Sequence, residues 1–270
     1  MATYLDEILA HHRLQEPMSA KERDSLAEAV FGCAPRRDFA GALRNGAIRQ
    51  GIAVIAEIKR RSPSRGDLAP DLDPAHLAHQ YARGGASCLS VLTDSSFFGG
   101  APEDLKVARE SCGLPVLRKD FVVTERDVYE TRLIGADAML LIVSALSDDE
   151  LSNFHRLGIG IGLDVLVEVH DEAELGRALA IGALLIGVNQ RDLNSFKVDP
   201  DRATRVGREI PEDVIRVAES GISSTEDIAR LIDSGFSAVL IGEALVCADD
   251  PAGALRAFIQ EARARRGILS

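Results

Sequence analysis

The chain of 270 residues contains no tryptophan, and aromatic residues of all kinds make up only 4% of it. Emission in the tryptophan window can therefore come only from something added to the protein. The four cysteines, Cys33, Cys88, Cys112 and Cys247, are widely separated and form no CxxC pair, so buried reduced thiols are expected. No apolar run reaches the roughly 18 residues that a membrane-spanning helix needs. The N-terminal stretch MATYLDEILAHHRLQE is acidic in part and has no long apolar segment. A cytoplasmic protein without membrane contact is the expectation.

Positive charge is also in deficit. With 31 Lys and Arg against 42 Asp and Glu, the formal net charge is −11, which repels nucleic-acid phosphates and anionic membranes. The basic clusters Arg60-Arg61 and Arg263-Arg265-Arg266 lack interleaved aromatics and read as solvent-facing. Nucleic acid is not an expected partner. A phosphorylated small molecule stays compatible with this charge, because a few local cations and backbone N–H groups outweigh a distant, screened surface.

Metal and dinucleotide signatures are missing too. His11-His12 and the pair His76 and His79 have no Asp, Glu or Cys partners at ligand spacing and read as solvated helix histidines. Gly158, Gly160 and Gly162 alternate with isoleucines, which is not GxGxxG, and they precede a strand; a tight helix-to-strand connection is expected there.

What the sequence does have is repetition. Short β-rich apolar runs end at Lys59, Thr93, Asp120, Val143, Val169, Asn189, Ser220 and Gly242, with helical patterns between them. Eight strands alternating with helices predict an α/β fold, a (β/α)₈ TIM barrel. Helix starts are marked by Asp73-Pro74, Asp250-Pro251, Ser147…Glu150 and Ser223…Glu226. Glycines at 84–85, 135, 182 and 235 precede the next strands. Before the first strand, residues 1–48 are helical in character, with a cap pattern at Ser19…Glu22 and no flexible linker. A single domain over 1–270 is expected, with 1–48 packed on the barrel of 49–270.

An ionisable side chain in a strand buried on both faces is costly unless paired or placed at a functional end. Glu57 and Lys59 share one face of the first strand; Glu168 interrupts the apolar fifth strand, with His170 on its face. Lys119 ends the third strand, Asn189 the sixth with Arg191 two residues on, and Glu219 the seventh. A stability network has no reason to gather charges at one end of five strands, whereas a barrel active site must. The loops after strands seven and eight, Glu219-Ser220-Gly221-Ile222 and Ile241-Gly242-Glu243-Ala244, stand where barrels cradle phosphate.

Seven stretches carry a closer likeness: AEIKRRSPSRG (56–66), LTDSSFFGG (92–100), PVLRKDF (115–121), LVEVH (166–170), GVNQRDL (187–193), AESGI (218–222) and IGEAL (241–245). On these the chain resembles the indole-3-glycerol phosphate synthases of tryptophan biosynthesis, over almost its whole length. The resemblance implies ring closure, decarboxylation and dehydration of 1-(2-carboxyphenylamino)-1-deoxyribulose 5-phosphate without metal or organic cofactor. It implies Lys119 as general acid, Glu168 as general base and Lys59 as a substrate-holding second acid. Glu57, Asn189 and Glu219 would orient the lysines and substrate hydroxyls; Ser62 and Arg191 would meet the departing carboxylate. Pro63, Phe121 and Leu193 would contact the aryl ring, and Ser220, Gly221, Gly242 and Glu243 the phosphate. The resemblance leaves room for transient association with other enzymes of the pathway.

Two positions depart from the family pattern. Gln190 stands where an Asn is expected and should point away from the ligand; Glu243 stands where some relatives have Ser, and its carboxylate should turn outward. The polar segment from Arg60 to Asp67 is expected to close over substrate. Two other readings remain: a phosphoribosyl isomerase, for which an Asp/Cys or Asp/Asp pair would be expected, and a non-catalytic scaffold.

Overall fold

The computed structural model describes residues 3–14, 16–63, 65–193 and 195–268. Eight parallel strands close a barrel in chain order: β1 (Ala53–Ile58), β2 (Cys88–Leu92), β3 (Val116–Lys119), β4 (Ala138–Ile142), β5 (Asp164–Val169), β6 (Leu185–Asn189), β7 (Ile215–Glu219) and β8 (Ala238–Ile241), with β8 returning to β1. Apolar runs of four to six residues with near-continuous burial suit strands covered on both sides, the lumen on one and helices on the other. Several strands stop one residue before the sequence pattern does, so Lys59, Asp120 and Ser220 open loops.

Thirteen α-helices accompany the strands among the described residues: α1 (Tyr4–His12), α2 (Ala20–Phe31), α3 (Phe39–Gln50), α4 (Pro74–Gly84), α5 (Ser95–Phe98), α6 (Pro102–Ser111), α7 (Glu125–Leu133), α8 (Asp148–Gly160), α9 (Glu172–Ala180), α10 (Pro200–Gly207), α11 (Thr225–Asp233), α12 (Glu243–Val246) and α13 (Pro251–Arg266). Asp73, Ser147 and Asp250 cap α4, α8 and α13. The α11 box is instead Ser224 with Asp227, one residue beyond the expected pair, because Asp227 accepts from both the Ser223 and Ser224 amides. Gly158 and Gly160 lie inside α8, so the connection to β5 is only Ile161 to Leu163. A Cβ on Gly158 would meet the end of the Met139 side chain, so the helix packs close over that methionine.

Of the helices before the barrel, α3 and α1 lie at opposite ends and α2 packs on α7. At the N-terminal end, α3 buries Phe39 and Leu43 against β1, β2 and β7, each buried apolar side chain contributing about 1.5–3 kcal/mol. Fully buried Asp137 accepts from the backbones of Arg37 (2.7 Å) and Val116 (2.9 Å) and from Arg109 (3.1 Å), tying the approach to α3 to the barrel. At the opposite end, α1 crosses the loops after β2, β4 and β6. Tyr4 packs edge-on against Phe97 and Phe196, and Arg13 bonds Glu150 at 2.7 Å.

Two surface expectations are corrected here. His12 is no solvated helix histidine: it stacks near Phe121 and bonds Asp94 at 2.9 Å. Arg60 is not solvent-facing either, since its guanidinium grips the Asp104 carboxylate and the Leu72 carbonyl.

Candidate active site

Strand register brings the polar residues to one level. Glu57 lies beside Ser90, Leu92 beside Lys119, Ile142 beside Glu168, and Asn189 beside Glu219. At these C-terminal strand ends opens a cavity of about 640 Å³ whose lining includes Glu57, Lys59, Lys119, Glu168, Asn189 and Glu219. All six strand-end groups that the sequence singles out therefore face one space.

Lys119 stands at its floor. Its Nζ lies 3.0 Å from Glu168 Oε2 and 3.6 Å from Glu219 Oε2. Burial opposes the lysine's charge, but Glu168, Glu219 and Glu57 outweigh it and hold the ammonium above its ordinary range. Glu168 is buried, accepts from Asn189 Nδ2 at 3.0 Å, and faces His170 at 3.6 Å. Burial alone would raise its pKa; Lys119, His170 and Asn189 together pull it below the usual carboxylate range. Glu219 goes the other way, raised by burial and by the neighbouring Glu168 charge. Two carboxylates around one ammonium thus have their proton affinities pushed apart, down at Glu168 and up at Glu219.

Glu219 fits because position 187 has no side chain: a Cβ on Gly187 would overlap the Glu219 carboxylate. Asn189 is held in turn, its Oδ1 accepting from the Arg191 amide at 2.9 Å. Glu57 pairs with Lys59 at 2.6 Å, and a Cβ on Gly242 would come within 2.5 Å of Glu57 Oε1 and 3.1 Å of Lys59 Nζ. Lys59 consequently sits against the loop after β8.

That loop and the one after β7 form the far wall. Ser220 and Gly221 both have positive φ, 65° and 67°, and a Cβ on Gly221 would strike Val198. Gly242 is the N-cap of α12 and its carbonyl takes the Leu245 and Val246 N–H groups, which leaves those of Glu243 and Ala244 without an acceptor within the helix. Ser220, Gly221, Gly242 and Glu243 all line the cavity, a backbone-rich wall suited to an anion. The Glu243 carboxylate is engaged by Arg65 at 2.9 Å.

Ser62, Pro63, Phe121, Arg191 and Leu193 line the same cavity. Ser62 is buried and its Oγ has no partner. Arg191 donates to the Phe196 carbonyl at 3.1 Å, so part of its guanidinium stiffens its own loop. The loop after β1 is a small antiparallel ribbon, Arg61–Ser62 against Gly66–Asp67, with Leu68 and Ala69 donating to the Arg60 carbonyl. Ser64 lies outside the described residues.

Sequence reasoning missed several contributors. Arg65, Asp94, Phe98, Phe196, Val198 and Cys247 also line the cavity; Cys247 is exposed, contrary to the expected buried thiol, while Cys88 is buried. Gln190 does not line the cavity, but its Nε2 donates to the Ser220 carbonyl at 2.7 Å and so supports the anion wall. No local signal gave that contact, which joins two loops 30 residues apart. His12, Asp94 and Asp120 converge within 4.8 Å, a grouping the sequence spacing hid. Asp94 also caps α5, and Asp120 takes the Arg118 and Thr93 donors. Their acceptor capacity is committed to holding loops.

Comparison with known proteins places this chain in a family. Among solved structures, 3-hexulose-6-phosphate synthase aligns with TM-score 0.62 at 16% identity over 78% of this chain and 99% of that one. Thiamine phosphate pyrophosphorylase from Pyrococcus furiosus aligns with TM-score 0.61 at 15% identity over 83% of this chain and all of that one. Likeness at that identity concerns the barrel alone. Sequence similarity reaches further. The indole-3-glycerol phosphate synthase of Chloroherpeton thalassium is 48% identical over 252 residues, covering 92% of this chain and 96% of the relative. That of Polaromonas naphthalenivorans is 44% identical over 268 residues, covering 97% and 100%. The family model for indole-3-glycerol phosphate synthase matches residues 5–258. With the match running through every strand that carries the cavity's charges, the chain belongs to the indole-3-glycerol phosphate synthase family.

Proposed function

We propose that the chain converts 1-(2-carboxyphenylamino)-1-deoxyribulose 5-phosphate to indole-3-glycerol phosphate, carbon dioxide and water. The observation that carries the proposal is Lys119, held protonated between Glu168 and Glu219 and facing a cavity with a backbone-rich wall.

The substrate phosphate binds at Ser220, Gly221, Gly242 and the Glu243 amide. Lys59, beside that wall, attracts the substrate's negative groups, and Ser62 with Arg191 meets the aryl carboxylate. Pro63, Phe121 and Leu193 flank the ring. Lys119 then donates a proton to the ribulose carbonyl oxygen as the aryl carbon bonds to the carbonyl carbon. Loss of carbon dioxide returns its bonding electrons to the ring. A lysine, Lys119 or Lys59, protonates the resulting hydroxyl, which leaves as water, and Glu168 removes the ring proton that completes the indole. Buried, preorganised charges suit each step, since an acid or base so placed contributes about 10²–10⁴-fold. Cytoplasmic residence belongs to the same proposal; among the described residues no helix is long and apolar enough to cross a membrane.

The isomerase reading finds less support. The aspartates on the cavity wall are occupied, Asp94 by His12 and the α5 amides and Asp120 by Arg118 and Thr93. Mass spectrometry after incubation with the substrate separates the alternatives. A product lighter by one carbon dioxide and one water is expected; an isomer of unchanged mass would favour the isomerase, and untouched substrate the scaffold.

A further inference from the structure

The cavity is lined by six acidic side chains and by four basic ones, Lys59, Arg65, Lys119 and Arg191, so an anionic substrate needs a cation that the protein can release to it. Three of the four are committed to groups inside the fold. Lys119 lies between buried Glu168 and Glu219, Lys59 pairs with buried Glu57 at 2.6 Å, and Arg191 donates to the Phe196 carbonyl of its own loop. Arg65 is held differently. Its Nη1 lies 2.9 Å from Glu243 Oε1, and the two side chains are 67% and 30% exposed. An ion pair this open to water contributes little to stability and is readily exchanged for a stronger one.

Where the pair sits gives it a use. Glu243 shares its wall with Ser220, Gly221 and Gly242, the residues assigned above to the substrate phosphate. A free carboxylate at that place would repel the phosphate. Arg65 covers the carboxylate and at the same time stands one side chain's length from the anion position. It is delivered by the ribbon after β1, next to Gly66, which has a φ of 70° and open space beside it.

We propose that Arg65 is a phosphate-binding residue: when the phosphate arrives, the guanidinium leaves Glu243 and takes two phosphate oxygens, and the Glu243 carboxylate turns to solvent. The inference rests on the phosphate wall of the synthase reading. The planar fork of guanidinium N–H donors matches two oxygens of a phosphate, and a doubly charged partner outcompetes a partly solvated carboxylate. Glu243 then has a part of its own, because it keeps the arginine at the wall until the phosphate replaces it.

The test uses Arg65→Gln, Glu243→Gln and the double variant in the full chain, with calorimetric binding of inorganic phosphate and steady-state kinetics on each. Arg65→Gln should weaken phosphate binding and raise KM about tenfold, the loss of one charge-assisted contact, with kcat within about twofold. Arg65→Lys should recover part of that loss. The deciding comparison sets the double variant against Glu243→Gln: the double variant should bind phosphate about fivefold more weakly or worse. Equal binding by these two would overturn the proposal, since Arg65 would then only mask Glu243. Wild-type phosphate affinity in Arg65→Gln would overturn it as well. A wild-type protein that binds no phosphate would remove the wall and the role of Arg65 together. One that binds phosphate through Arg65 yet turns over no substrate would instead sink the synthase reading and leave the Arg65 assignment standing.

Discussion

Lys119 Nζ lies 3.0 Å from Glu168 Oε2, an acid and a base in contact at the floor of one cavity, the carboxylate buried and the ammonium partly exposed to the cavity. Each fixes the other's protonation state, so neither can be removed without leaving a buried charge behind. Lys119→Met should lower kcat by about 10²–10⁴-fold and destabilise the fold by about 3–5 kcal/mol. The double variant Lys119→Met/Glu168→Leu should recover much of that stability and none of the activity. Urea unfolding beside steady-state kinetics decides it; a double variant no more stable than Lys119→Met would contradict the pairing.

Gly221 carries a φ of 67° and leaves no room for a Cβ beside Val198. A side chain in the left-handed region costs about 1–2 kcal/mol. Gly221→Ala should therefore raise KM about tenfold while changing kcat much less, because the wall holds phosphate and not the reacting bonds. A kcat loss at constant KM would show that the loop does something else.

Gln190 supports the same wall through its 2.7 Å bond to the Ser220 carbonyl. Gln190→Leu should weaken competitive inhibition by inorganic phosphate, and the natural substrate's KM should rise in parallel. Inhibition of unchanged strength would mean that Ser220 and Gly221 keep their conformation without the amide.

The bond from His12 to Asp94 ties α1 over the loop after β2. Burial lowers the His12 pKa, but Asp94 and Asp120 outweigh it and raise it in the folded protein. A raised folded value means that the stabilisation is fully present below the unfolded pKa of about 6.5 and is lost as pH rises through the folded value. The melting temperature of wild type minus that of His12→Gln should be largest near pH 6 and shrink toward about pH 9. A difference independent of pH would remove the ion pair from the account.

The barrel and its charged floor were legible because both follow from strand chemistry. Glu57, Lys119, Glu168, Asn189 and Glu219 stand out as polar residues closing apolar runs, and strand register then has to bring them together. Contacts made across the loops were not legible. Gln190 reaching Ser220, Arg65 reaching Glu243 and His12 reaching Asp94 all depend on where loops and α1 settle over the barrel mouth. Arg60 and Cys247 were misplaced for the same reason, since a local pattern cannot tell a buried loop cation from an exposed one. Ser223 against Ser224 as the α11 cap was a one-residue ambiguity between adjacent serines.

The absence of tryptophan makes the central claim directly measurable. Purified protein is mixed with 1-(2-carboxyphenylamino)-1-deoxyribulose 5-phosphate and indole emission is followed, with a folded Lys119→Ala variant alongside. Emission that grows with wild type and not with the variant is the predicted result. A dark wild type, or emission that grows equally in both, would contradict the assignment of Lys119 as the acid of a synthase.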